Sequence, residues 1–346
     1  MFTIGIDVHS RTHSMCILDP KGKLLRRTRV RGGLDRLVEA VAAEGEPLRV
    51  CFEASLDCGL LHDRLSSLLN VREIVVAHPA HLRRSHCKND RVDAERLAVN
   101  AFHGWVDGVH VPSPAVRQLR QLVEFRCRQV RKRTRVKNAL RALLRSRGVE
   151  PPKGLWSKEG LAWLRSVRLP DPCARMRRRM LLEEFRLLHR QIKHIGRTLG
   201  GLAGRDPRTK LLRTMPGVGE RTAEAVVAWI DDPSRFLRSS RVASYFGLVP
   251  RQDQTGDRNR MGGISKAGPT VVRWLLVEAA WRAVRKDGPL RDRCQRLMHG
   301  DPQRKRKAVV AVARHMSVAM LAMLRDGRPW SPELAASIEE ETLATT

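Results

Sequence analysis

Aromatic residues are scarce in this 346-residue chain, at 4% of positions, and Tyr245 is the only tyrosine. That scarcity argues against an RNA-binding sheet that stacks bases on rings. It also argues against a recombinase with an exposed tyrosine nucleophile, because Tyr245 sits in the apolar segment 242–248, where a core role is expected. The seven cysteines (Cys16, Cys51, Cys58, Cys87, Cys127, Cys173 and Cys294) include no pair at CxxC spacing. Neither a zinc knuckle nor a disulfide framework is indicated, and a reducing cytoplasm is expected. No basic n-region followed by an apolar core opens the chain. The best apolar stretch, 308–324, is broken by Arg314 and His315 and reads as too short and too polar to span a bilayer. Acidic side chains are also in short supply, 36 against 66 Lys and Arg, a formal charge of +30.

What is present points to a folded polyanion binder. Hydrophobic residues make up 42% of the chain, enough for real cores, so it is not a disordered basic tail. A folded chain with this much like charge repels itself unless a polyanion neutralises it. Nucleic acid is the expected partner, held mainly through phosphates; a membrane surface is not.

Alternating, β-rich segments at 2–8, 13–19 and 24–30, with a Pro20-Lys21-Gly22 turn signal, read as a three-stranded antiparallel meander. Helical spacing follows at 33–44, a strand at 48–53, a helix at 60–69, a strand at 71–77 and a helix from 90 to 102. The order β-β-β-α-β-α-β-α is that of an RNase H-like fold. Val111-Pro112-Ser113-Pro114 then breaks the chain. Two long basic helices, 116–147 and 174 to about 199, read as an antiparallel coiled-coil hairpin or an ordinary helical bundle; neither has clean heptads. Residues 256–268 read as a Gly-rich basic loop, with apolar helices at 271–284 and 307–324. The expected fold is α/β plus α: a nuclease-like domain at 1–110, a helical region at 113–205, a mostly α domain at 206–328 and a peripheral tail at 329–346.

Four carboxylates fall at telling places. Asp7 ends the first strand, Glu53 ends the fourth, and Asp90 and Asp93 lie three apart on one helix face. In an RNase H-like sheet the first and fourth strands are neighbours and the last helix packs across them, so the four would converge. Gathered carboxylates repel and raise one another's pKa, and the usual reason to gather hard oxygen ligands is Mg²⁺ or Mn²⁺. Two such ions about 3.5–4 Å apart can serve both the attacking and the leaving oxygen at a phosphate. Each residue also has a plainer reading. Asp7 can cap a strand end, Glu53 can pair with a surface Arg, and Asp90 can N-cap the helix. His9 and His13 read as solvent-exposed turn residues.

The segments GIDVHS around Asp7, FEAS around Glu53 and KNDRVDAERLA around Asp90 and Asp93 resemble the DEDD tetrad of the insertion-sequence-110 transposases, relatives of the Piv/MooV DNA invertases. Residues 215–236 and 243–281 resemble that family's second domain, so the likeness covers essentially residues 2–285. The resemblance implies a RuvC-like N-terminal domain, a helical hairpin for oligomerisation as a dimer or tetramer, and a C-terminal domain supplying a hydroxyl nucleophile. It implies metal-dependent cutting and rejoining of donor and target DNA, guided by a structured bridge RNA. The family's nucleophile is a Ser-Gly shortly after GLxP; here Pro250 is followed by Arg251–Gln254 and then Thr255-Gly256. A threonine hydroxyl can attack when activated, but its methyl crowds the approach. Thr255 as nucleophile, Ser265 in its place, and an impaired copy all remain open.

Pro216-Gly217-Val218-Gly219 reads as a helix-hairpin-helix-like turn in which Gly217 and Gly219 let N–H groups face a phosphate, or as a tight turn where only glycine fits. Arg258, Arg260, Lys266 and Arg273 are candidate phosphate contacts or generic basic surface residues. Two rival functions stand beside the recombinase: a RuvC or RNase H-type nuclease without a covalent step, and a non-catalytic basic nucleic-acid-binding protein.

Overall fold

Apolar alternation builds the first sheet. Strands β1 (Phe2–Val8), β2 (Thr12–Leu18) and β3 (Leu24–Arg31) pair antiparallel, while β4 (Leu48–Glu53) and β5 (Val71–Ala77) run parallel to β1, in the order β3-β2-β1-β4-β5. The structure is a computed structural model describing residues 1–55, 58–78, 90–255, 258–334 and 336; side chains at 90–91, 253–255 and 258–261 also lie outside the description. Its contacts divide it into two units, Met1–Pro114 and Ala115–Thr346.

In the first unit, side chains two apart share a face. Ile4, Ile6, Met15, Ile17, Val50 and Phe52 pack against α1 (Leu34–Ala42) and α2 (Cys58–Ser66). The opposite face, with Cys16, Leu18, Cys51 and Ala77, is covered by α3 (Asp90–Phe102) through Ala94, Leu97, Ala98 and Ala101. α3 lies so close to β1 that a Cβ on Gly5 would stand 2.1 Å from the Ala94 carbonyl oxygen and 2.4 Å from the Ala98 nitrogen. His13, read as exposed, is instead 1% exposed, on the same side of β2 as Met15 and Ile17. Neither ring nitrogen has a hydrogen-bond partner among the described residues. Its polar neighbours Thr12 and Ser14 point to the other face and gave no sign of this burial.

The second unit opens with α4 (Pro114–Arg145), α5 (Lys158–Ser166) and α6 (Pro172–Ala203). α4 and α6 run antiparallel: Val136, Leu140 and Leu144 join Leu182, Phe185 and Leu188 in one cluster, while Val123 and Cys127 lie with Ile195 and Leu199 in another. Trp156 closes the tip, its ring tilted against Phe185 at 5.4 Å and beneath Lys137 and Arg141. Asp-Pro pairs start several helices. Asp171 accepts from the Ala174 N–H at 2.7 Å ahead of α6, and Asp206 from the Arg208 N–H at 2.8 Å ahead of α7 (Pro207–Leu212). The carboxylate satisfies an orphan donor, and the proline ring supplies a helical φ where no N–H is needed.

α8 (Glu220–Ile230) is buried on every side from Thr222 onward. It packs with α9 (Ser240–Tyr245), α10 (Thr270–Ala283), α11 (Pro289–Met298) and α12 (Lys305–Asp326) into the largest core. Its last carbonyls accept from arginines: Ala228 from Arg120 at 2.8 Å, Trp229 from Arg235 at 2.9 Å, Asp231 from Arg208 at 2.7 Å. Two expectations are corrected. The segment read as a loop at 256–268 belongs largely to a hairpin of β6 (Pro250–Thr255) and β7 (Arg258–Ile264). And the stretch 308–324, read as too short and too polar, lies in a longer helical stretch, Pro302–Asp326, that is by length and composition sufficient to cross a membrane; 67% of its apolar window is buried, with Val309, Val312, Met316 and Met320 fully enclosed. That burial is what a core helix requires.

Candidate active site

Strand parity places Asp7 and Glu53 at neighbouring strand ends, and α3 crosses the same face of the sheet. Ile6 pairs with Phe52 in the parallel β1–β4 ladder, so Asp7 and Glu53 follow side by side at the two strand ends. Asp7 shares a face with Gly5, and Glu53 with Cys51, which is the face α3 covers. The direction of α3 is fixed by three contacts. The Ala101 carbonyl accepts from Arg49 near the start of β4 at 3.2 Å, Phe102 lies against Gly22 in the β2–β3 turn, and Ala94 crosses Gly5. The first turn of α3 therefore reaches the end of the sheet where Asp7 and Glu53 stand. Asp93 lies one helical turn before Leu97, which packs on Cys51.

Asp7 is 15% exposed at its side chain and 3.1 Å from His9 Nε2. Asp93 is 3.5 Å from Arg96 Nη1, one turn along α3. Asp90 opens α3, and its side chain lies outside the described residues. Among the described residues, no three His, Cys, Asp or Glu side chains form a group able to hold a metal ion. The donors sharing this face are hard carboxylate oxygens, the ligand type that divalent cations take.

The remaining site candidates belong to the second unit. Thr255 is the last residue of β6 and pairs with Arg258, while Arg260 pairs with Asp253; these four side chains, with Gly256 and Asp257, fall outside the described residues. Ser265 follows β7, its N–H donating to the Val249 carbonyl at 2.8 Å. Lys266 is exposed, with φ +57° and its N–H on the Gly247 carbonyl at 3.2 Å. Arg273 donates to the carbonyls of Phe246 and Ala267 at 2.9 and 2.8 Å, so its guanidinium ties together the loops flanking the hairpin. Gly217 has φ +81°, and a Cβ there would meet the Ala279 carbonyl oxygen on α10 at 2.4 Å; close helix packing by itself demands glycine at this position. Gly219 is the N-cap of α8 and accepts from the N–H groups of Thr222 and Ala223.

Sequence reasoning missed Glu224, one turn into α8. It is 0% exposed, with Arg221 Nη1 at 3.0 Å. Burial pushes its carboxyl up to about 7; the attraction of Arg221 opposes this and Glu220 adds to it. The available signal was the company it keeps, an acidic residue inside the run Ala223-Glu224-Ala225-Val226-Val227 of a helix apolar on all sides.

Comparison with known proteins places the chain in a class of proteins that act on DNA. A model described as "Transposase" of the DEDD IS110 type matches residues 4–147, and one described as "Transposase IS116/IS110/IS902 family" matches residues 209–295. Among curated relatives, a "Probable family 20 transposase" from Pseudomonas aeruginosa is 30% identical over 322 residues, covering 89% of this chain and 88% of that protein. The "Transposase for insertion sequence element IS1111A" of Coxiella burnetii is 28% identical over 80% of this chain and 76% of its own length. The corresponding protein of element IS1328 in Yersinia enterocolitica is 29% identical over 68% and 70%. The chain belongs to the IS110 family of DEDD transposases, and it is an enzyme that acts on DNA.

Proposed function

We propose that this transposase cuts and rejoins DNA strands using Asp7, Glu53, Asp90 and Asp93 as ligands for Mg²⁺ or Mn²⁺ and Thr255 as the attacking hydroxyl. The observation that carries the reading is the adjacency of Asp7 and Glu53 on the face of the sheet crossed by the first turns of α3. When bound, the divalent cation would supply electrostatic stabilisation of charge building on the phosphate oxygens. The protein's own part is to aim the carboxylates at one spot, with His9 orienting Asp7 and Arg96 orienting Asp93. The Thr255 oxygen bonds to phosphorus while the bond from phosphorus to the departing deoxyribose oxygen breaks, and that oxygen takes up a proton. Rejoining reverses the exchange with a second strand end. Ser265 is the alternative nucleophile. Gly217, Gly219, Arg258, Arg260, Lys266 and Arg273 line the proposed path of the phosphates.

The charge of +30 supports a second polyanion beside donor and target DNA, here a structured guide RNA transcribed from the same element. Two or four copies are proposed to assemble in the cytoplasm, the hydroxyl of one serving the carboxylates of another.

The test is strand exchange between a circular donor junction and a target duplex, with and without RNA transcribed from the flanking DNA. Asp7→Asn, Glu53→Gln and Asp93→Asn are each expected to lower exchange by about 10³-fold or more while leaving DNA binding intact. Thr255→Ala is expected to abolish the protein–DNA adduct seen on denaturing gels, and Thr255→Ser to retain it. Cleavage that survives Thr255→Ala without an adduct identifies a nuclease using water instead. Activity indifferent to all three carboxylates leaves only a nucleic-acid-binding protein.

A further inference from the structure

A cleft between α4, α6 and the N-terminus of α8 gathers more cations than its own carboxylates pair. Arg126 and Arg133 enter from α4, Lys193 and Arg197 from α6, and Arg221 from α8. Glu220 is the one carboxylate among the lining residues, and Glu224 lies fully buried behind it. A single cation engages both: Arg221 stands 2.6 Å from Glu220 and 3.0 Å from Glu224, and also donates to the Gly196 carbonyl at 3.0 Å. The other four face the cleft without that compensation. The enclosed Nε–H groups of Arg126 and Arg133 meet no acceptor among the described residues. Burial holds Arg126 below its ordinary pKa, and the nearby positive charge of Arg221 pushes the same way. A guanidinium does not shed its proton to escape this, so its enclosed donors call for an anionic acceptor.

The floor of the cleft is built for close approach. Gly196 and Gly200 lie one turn apart inside α6, where glycine weakens a helix. A Cβ on Gly196 would stand 3.8 Å from Arg126 Nε, and one on Gly200 3.5 Å from the Glu220 carboxylate. Glycine keeps this floor at backbone level, open to a group the size of a phosphate. The N-terminus of the 11-residue α8 adds a positive helix end at the same edge.

We infer that this cleft seats phosphodiester groups of a nucleic-acid backbone, with Arg126 and Arg133 donating from inside and Lys193 and Arg197 from the exposed rim. The inference rests on the reading that nucleic acid is the substrate, but it needs none of the carboxylate chemistry. The cleft offers charge and donors, with Ile192 its only large apolar side chain, so it grips backbone and is indifferent to base sequence. DNA and RNA present the same group, and the experiment separates them.

The full chain is titrated with fluorescent duplex DNA, single-stranded DNA and RNA of equal length, from about 50 to about 300 mM KCl. For the polymer that occupies the cleft, Arg133→Ala/Arg197→Ala is expected to weaken binding about tenfold or more at low salt. It is also expected to reduce the slope of log affinity against log salt by about two. Lys21→Ala/Lys23→Ala removes the same charge from the β2–β3 turn and is expected to change the slope by less than half as much. In the unmutated protein, the bound polymer is expected to protect Lys193 from amine acetylation several-fold, a readout that no folding defect confounds. Equal slope losses in the two double variants together with unprotected Lys193 overturn the inference, as does a wild-type chain that binds none of the three polymers. Strand exchange lost in Asp93→Asn with the slopes as expected leaves both readings standing; exchange insensitive to Asp93 with the same slopes sinks the catalytic reading alone.

Discussion

Glu224 shows how much a single enclosed side chain can govern. Its carboxyl, raised to about 7 by burial, binds a proton in the folded protein that the unfolded chain releases near pH 4.5. Stability from this residue is therefore fully present below about pH 4.5 and declines as pH rises through about 7, where the folded state must carry a buried anion held by Arg221. Glu224→Gln removes that titration. The stability of the variant relative to wild type is expected to improve between about pH 5 and about pH 8 by up to about 3 kcal/mol, read from urea midpoints at each pH. A difference that stays flat across this window would place the carboxylate in contact with solvent. Gly5 makes the opposite kind of demand, for space. A methyl there would overlap the backbone of α3, so Gly5→Ala is expected to cost about 3 kcal/mol or more and to lift the helix that carries Asp90 and Asp93. Loss of strand exchange in step with lower denaturant resistance is the outcome that checks it.

At the scale of elements, the α4–α6 hairpin is held by a narrow seam. Leu140 is fully buried between α4, α5 and α6, and Leu140→Ala is expected to destabilise the second unit by about 2–5 kcal/mol, with faster proteolysis at the hairpin tip as the measurement. How much of this was legible depended on whether burial followed a clean period. The sheet was readable because Ile4/Ile6 and Val50/Phe52 alternate against smaller residues, and β4, β5 and α3 begin and end where the pattern said. The seam of α6 was not, although Phe185, Leu188, Ile192, Ile195 and Leu199 repeat at three and four. Exposed Leu187 and Leu202 obscure that repeat in the sequence. The β6–β7 hairpin was missed for another reason: Arg251-Gln252-Asp253-Gln254-Thr255 has no apolar alternation at all, so its sequence carries no strand period. The carboxylates at strand ends were visible because position along a strand fixes both end and face. Burial of His13 and Glu224 depends on tertiary neighbours that no local spacing announces.

Across the whole molecule, the +30 charge divides into two populations with different work to do. Some arginines are spent on the fold: Arg120, Arg208 and Arg235 close the end of α8, and Arg273 binds two loop carbonyls. Others, along α4 and α6 above all, outnumber the carboxylates near them and repel one another without a polyanion nearby. Salt and nucleic acid should therefore act on stability in the same direction and compete. Raising KCl from about 50 to about 500 mM shortens the screening length from roughly 14 to roughly 4 Å, and the melting temperature of the free protein is expected to rise. Duplex DNA at low salt is expected to raise it further, by mass action on the folded state. At high salt the DNA increment should shrink toward zero, because the phosphate contacts that carry it are the ones salt displaces. Differential scanning fluorimetry across a grid of salt and DNA concentrations reads all three effects. A DNA increment independent of salt would mean that the surplus cations are not what holds the nucleic acid.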